Sequence, residues 1–138
     1  MPVVQIRCLC GAVRARLAGE PRMQFYCHCD DCQAVSGGAY VALAMFPLAA
    51  LAVVQGETAS FTLRSVARER CGACGTQLFA RLPALDACMV KGELLPVTMR
   101  KPEFHMQCRY AVLPVMDGLP HYRGIPAHFG GSDEVVGW

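Results

Sequence analysis

Apolar and polar positions alternate over short stretches along most of this chain. Val3 to Arg7 alternates loosely, is rich in β-branched residues, and predicts a strand running into Cys8. Ala12 to Leu17 alternates apolar against basic residues and predicts a second, half-exposed strand, closed by the turn signal Gly19-Glu20-Pro21. Gln24-Phe25-Tyr26 leads into a cysteine cluster, where Asp30 and Asp31 predict the start of a short helix through Val35 and Gly37-Gly38 its end. Tyr40 to Phe46 is apolar throughout, as in a buried strand, whereas Leu48 to Gln55 fits a short helix or a strand equally well. After the Gly56-Glu57 turn, strands are predicted over Thr58 to Arg64, Thr76 to Leu82, Ala87 to Lys91 and Phe104 to Tyr110. From about residue 111 Pro and Gly recur, predicting an ordered but irregular tail that frays near Trp138. Short strands between frequent turn signals indicate a mainly-β fold, here one domain over residues 1–138.

Composition narrows the function classes. A chain of 138 residues can bury about two-thirds of the surface its unfolded form exposes. The net charge is only +2 and the arginines are scattered, so no nucleic-acid partner is expected. No basic leader is visible at Met1-Pro2-Val3. The run from Tyr40 to Val54 is broken by Pro47 and falls short of the about 20 residues a membrane helix needs. These features read as cytoplasmic, with no membrane partner. The nine cysteines, an odd number, then point to metal binding or catalysis rather than disulfides.

Cysteine spacing carries the chemistry. Cys8 and Cys10 sit two apart, and in extended chain both sulfurs face one ion. Cys71-Gly72-Ala73-Cys74 has zinc-ribbon spacing, and each pair is followed by glycine, Gly11 and Gly75. Together they make a Cys₄ set for a structural zinc, worth on the order of 10 kcal/mol of coupled folding. The rival for the second pair is a redox disulfide, which normally opens a helix, whereas strands flank this one. Cys27, Cys29 and Cys32 form a second set of three. It is either a closed site with a distant fourth ligand or an open one taking water or substrate. His28 points away from its neighbours in extended chain, and His105, His121 and His128 are the other candidate closers. An open Cys₃ centre suits delivery of a soft exogenous thiolate to a carbonyl better than it suits hydrolysis. Ser36 with Gly37-Gly38 is a helix stop, or a hydroxyl and backbone amides for a developing oxyanion. Cys88 and Cys108 read as small core residues, and Met89, Met99, Met106 and Met116 as packing.

The succession Cys-x-Cys-Gly, Cys-His-Cys-x-x-Cys-Gln-x-x-Ser-Gly, Gly-Glu and Cys-x-x-Cys-Gly-Thr-x-Leu, with the late Asp117-Gly118-Leu119-Pro120, resembles the glutathione-dependent formaldehyde-activating enzyme family, which includes centromere protein V. The resemblance implies a β-tent of antiparallel sheets carrying knuckle-bound zinc. It implies two zincs per chain, a structural one on Cys8, Cys10, Cys71 and Cys74 and a catalytic one on Cys27, Cys29 and Cys32. It implies a carbon–sulfur lyase acting on a thiol–aldehyde adduct, glutathione and formaldehyde giving S-hydroxymethylglutathione. Zinc on Cys27, Cys29 and Cys32 then binds the thiolate, and Ser36, Gly37 and Gly38 attend the adduct oxygen. His105 falls where relatives often carry a histidine and is a pocket candidate. Two departures stand out. Val112-Leu113-Pro114-Val115 lacks the tryptophan common in relatives, leaving Trp138 as the chain's only one. No evident cluster of Arg or Lys near the site announces glutathione's carboxylates. The alternative to the enzyme is a binding or scaffold module with two structural zincs. The oligomeric state is not readable.

Overall fold

A computed structural model describes residues 1–138. The fold is mainly β and divides into two compact units that interleave in sequence. Unit 1 comprises residues 1–23 and 44–100, and unit 2 residues 24–43 and 101–138. Strands β3 (Met23–Cys27) and β4 (Val41–Pro47) carry the chain from one unit to the other.

In unit 1, β1 (Val3–Arg7), β2 (Arg14–Ala18) and β5 (Leu51–Gln55) form a three-stranded antiparallel sheet in the order β1-β2-β5. Ile6, Ala15 and Leu17 are buried while Arg7, Arg14 and Arg16 face out, the alternation expected of a sheet with one wet face. Strands β6 (Thr58–Leu63), β7 (Val66–Cys71), β8 (Gln77–Leu82) and β9 (Ala87–Lys91) follow as an antiparallel meander. The core gathers Ile6, Leu17, Phe46, Leu78, Phe79 and Val90, with Cys8, Cys71 and Cys88 among them. Leu48 to Gln55, ambiguous by pattern, is both things. A 3₁₀ turn at Leu48–Ala50 runs straight into β5.

Unit 2 is built on a parallel pair, β3 with β10 (Phe104–Met106), in which His105 lies opposite Tyr26 and Met106 opposite Cys27. Phe25 stacks on Phe104 at 5.4 Å and meets the edge of Phe129 at 5.9 Å. The strand predicted through Tyr110 stops at Met106. Gln107 takes a left-handed conformation (φ 56°), and a 3₁₀ turn follows at Cys108–Tyr110. The helix α1 (Asp30–Ser36) begins at an N-cap that is Cys29 and ends at Gly37 (φ 72°). The tail is irregular. Its backbone pairs with β10 on both sides of His105, through His105 N–H to Pro120 O (2.8 Å) and Tyr122 N–H to His105 O (3.0 Å). Trp138 ends stacked on His121 at 4.6 Å, because an indole gains more from an aromatic neighbour than from water.

Candidate metal centres and the histidine relay beside one of them

In unit 1 the sulfurs of Cys8, Cys10, Cys71 and Cys74 all lie within 4.8 Å of one another. A tetrahedral zinc with sulfur ligands needs separations of about 3.8 Å. Sγ of Cys8 and Cys10 are 3.4 Å apart, and those of Cys10 and Cys71 3.7 Å. The first pair sits in a tight turn rather than the extended chain its spacing suggested. Gly11 N–H donates to Cys8 O (3.0 Å) with φ +79°, a conformation glycine adopts without strain. The second pair repeats the device: Gly75 N–H donates to Cys71 O (2.9 Å) with φ +78°. Backbone amides point at the sulfurs, Val13 to Cys8 (3.3 Å), Ala12 to Cys10 (3.4 Å), and Ala73 and Cys74 to Cys71 (3.4 Å each). Such donors favour the thiolate form a metal requires. The Cys74 thiol is lowered to about 6, first by the Thr76 hydroxyl at 3.0 Å. The Gly56-Glu57 turn touches both knuckles. Gly56 packs against the backbone of Ala12 and Val13, and Glu57 O accepts from Gly72 N–H (3.0 Å).

In unit 2 the sulfurs of Cys27, Cys29 and Cys32 converge within 4.8 Å, and no His, Asp, Glu or further Cys joins them. Helix α1 delivers Cys32, whose N–H donates to Cys29 Sγ (3.3 Å). The Cys27 thiol is pushed far up, first by its contacts with Cys29 and Cys32 and then by burial. Three crowded sulfurs cannot all ionise unless a cation balances them, so the donor set fits a soft metal. The Ser36 hydroxyl donates to Cys32 O (2.7 Å) and accepts from Gly38 N–H (3.1 Å), while Gly37 N–H donates to Gln33 O (2.8 Å). All three donors are thus spent on closing α1. Gln33 spans from this helix to the tail, its Nε2 donating to His28 O (2.8 Å) and Tyr110 O (2.9 Å).

His28 and His105 are fully buried and bonded to each other, Nε2 of His28 to Nδ1 of His105 at 2.9 Å. His105 Nε2 lies 2.7 Å from Asp117 Oδ2. Burial works to raise the Asp117 pKa, but the bonds from His105 and from Leu119 N–H outweigh it and leave it lowered. An ionised Asp117 only accepts, which, with both imidazoles neutral, assigns every proton in the chain. His105 donates from Nε2 and accepts at Nδ1, and His28 donates from Nε2. His28 Nδ1 keeps its lone pair, and this buried atom has no partner. Burial, then His105, lowers the His28 pKa to about 4. Tyr40 stacks on His28 at 4.9 Å, Tyr26 on His105 at 4.8 Å, and Trp138 lies 5.8 Å from His28. Asp117 and Trp138 belong to this site, although neither announced itself as a site residue by spacing. The one signal was Asp117-Gly118-Leu119-Pro120, which pairs an acid with the strand-like partner of His105.

A mainly-β protein with two cysteine clusters of knuckle geometry, one of four ligands and one of three, defines the class. The profile of the glutathione-dependent formaldehyde-activating enzyme family matches residues 3–109, and the chain belongs to that family. A crystal structure of a Rhodobacter sphaeroides protein superposes with a TM-score of 0.53 at 22% identity, over 68% of this chain and 89% of that one, and so shares the fold. No curated protein matches the sequence.

Proposed function

We propose that this protein is a carbon–sulfur lyase that makes and breaks the bond between a small-molecule thiol and a small aldehyde. By family, the pair is glutathione and formaldehyde, giving S-hydroxymethylglutathione. The observation that carries this reading is the convergence of three sulfurs, Cys27, Cys29 and Cys32, with no fourth protein ligand. A zinc bound there would hold an exogenous thiol as its thiolate near neutral pH. In the bond-forming direction, sulfur attacks the carbonyl carbon, the C=O π pair moves to oxygen, and that oxygen takes up the proton the thiol gave up. The adduct therefore carries a new hydroxyl.

The chain's own residues supply the fixed frame. Asp117 and His105 hold His28 in one tautomer, and its Nδ1 lone pair is an acceptor suited to a hydroxyl proton. Gln33 and Ser36 hold the loop and helix that carry the sulfurs. The structural role falls to Cys8, Cys10, Cys71 and Cys74, where a bound zinc would stitch together two knuckles 61 residues apart.

Exchange NMR of formaldehyde with glutathione, with and without zinc-loaded protein, tests the reading. Acceleration that disappears in Cys32→Ser supports it. If Cys32→Ser exchanges as fast as the wild-type protein, or the wild type accelerates nothing, both clusters are structural and the scaffold reading stands.

A further inference from the structure

The irregular tail of unit 2 builds a second feature that no cysteine explains. Gln107 N–H donates to Gly124 O (2.7 Å), Cys108 N–H to Tyr122 O (3.0 Å) and Arg109 N–H to Arg123 O (3.1 Å). Two arginines 14 residues apart in sequence are thereby set on directly bonded backbone segments. Both line one groove of about 350 Å³, together with Val112, Leu113, Val136 and Trp138. Like charges on facing segments destabilise a fold unless something neutralises them. Nothing in the chain does so here. The Arg109 guanidinium donates to the neutral amide of Gln107 (3.2 Å) and lies over the Tyr110 ring at 5.2 Å. No carboxylate pairs with Arg109 or with Arg123. Guanidinium forks left free match carboxylates in particular, which they bind through two parallel hydrogen bonds.

The groove adjoins the metal-site residues through shared side chains. Trp138 forms its wall and also lies 5.8 Å from His28, which stands between Cys27 and Cys29. Tyr110, next to Arg109, accepts from Gln33 of α1 through its carbonyl. We propose that Arg109 and Arg123 form the carboxylate subsite of the thiol substrate, so that the enzyme selects an anionic peptide thiol over a neutral one. The assignment of the ligand as a thiol rests on the proposed function. The anion site itself rests on the two unneutralised guanidinium groups. The groove's apolar side, Val112, Leu113 and Val136, would cover the ligand's uncharged backbone and methylenes.

Calorimetric titration of the zinc-loaded full chain with S-methylglutathione tests this without any carbon–sulfur chemistry. Wild-type protein is expected to bind it, more weakly as salt rises. The double variant R109Q/R123Q, two exposed positions relieved of facing like charges, is expected to bind at least tenfold more weakly at an equal or higher melting temperature. The dimethyl ester of S-methylglutathione should bind wild type as weakly. Equal binding by the double variant, equal binding of the ester, or no binding by wild type overturns the inference. The two readings fail separately. A protein that binds through these arginines but accelerates no exchange loses the lyase and keeps the groove. One that accelerates exchange with the same glutathione KM in R109Q/R123Q keeps the lyase and loses the groove.

Discussion

Replacing Gly56 with alanine tests the joint between the two knuckles of the Cys₄ centre. A Cβ at Gly56 would stand 2.0 Å from Ala12 O, 2.8 Å from Ala12 C and 3.0 Å from Val13 Cα. All three neighbours are backbone, so no side chain can rotate aside. The residue also sits at φ +83°, where a Cβ costs about 1–2 kcal/mol. Overpacking of a fixed neighbour adds about 1–3 kcal/mol. The total is about 2–5 kcal/mol. At about 4 °C of melting temperature per kcal/mol for a chain of this size, a drop of about 8–20 °C is expected. The displaced segment carries the amides of Ala12 and Val13, which donate to Cys10 and Cys8. Zinc release to a colorimetric chelator should therefore quicken in the same variant. Gly75→Ala is the control. Its φ is +78°, but a Cβ there meets nothing within 4 Å, so it costs the conformational part alone. If Gly56→Ala melts within about 2 °C of Gly75→Ala, less than the cost assigned to overlap, the close approach of the Gly56 turn to the first knuckle is wrong.

Three further outcomes follow from the same geometry. Elemental analysis should find two zincs per chain, and a competing chelator should remove the one on three sulfurs first; a single zinc, with Cys27, Cys29 and Cys32 freely alkylated, refutes the second centre. Burial pushes the Cys108 thiol up from 9.0 to about 12, so the unfolded chain loses this proton first. Its contribution is intact below pH 9 and fades as pH rises towards 12, by about 1.4 kcal/mol per pH unit. Denaturant melts of Cys108→Ala should fall less steeply with pH over that window, and parallel curves would refute the assignment. Asp117→Ala strands a buried His105 N–H and should cost about 1–3 kcal/mol in denaturant melts. The ¹⁵N imidazole shifts of His28, expected in wild type to show a protonated Nε2 and a bare Nδ1, should then report a mixture. An unchanged spectrum would mean that Asp117 does not set the tautomer.

Much of the strand pattern was legible because it is local. Val3–Arg7 and Ala87–Lys91 begin and end where alternation and turn signals put them. Both cysteine sets were legible because knuckle spacing is a short-range property. What escaped depends on pairings across long stretches of chain. His28 and His105 are 77 residues apart, and only the parallel register of β3 and β10 brings them together. Arg109 and Arg123 look scattered until Gln107 turns left-handed and lays the 3₁₀ turn beside the tail. Met116, grouped with packing residues, is 80% exposed, because a proline- and glycine-rich segment carries no periodicity from which to read burial. Trp138 looked free for the same reason: no neighbour in sequence shows that His121 is waiting for its ring.

The interleaving of the two units has a consequence for biosynthesis. Unit 2 takes its first half from residues 24–43 and its second from residues 101–138. A ribosome adds about 5–20 residues per second, so Cys27, Cys29 and Cys32 wait several seconds for the segment that carries His105, Asp117 and Trp138. Throughout that wait unit 1 can finish and fill its own four-cysteine site, because all of its chain lies before residue 101. The three-sulfur cluster meets cellular metal and oxidant while its histidine partner is still unmade. A truncation just after residue 100 would keep all of the chain of unit 1 and leave Cys27, Cys29 and Cys32 without their histidine partner, a fragment open to thiol oxidation.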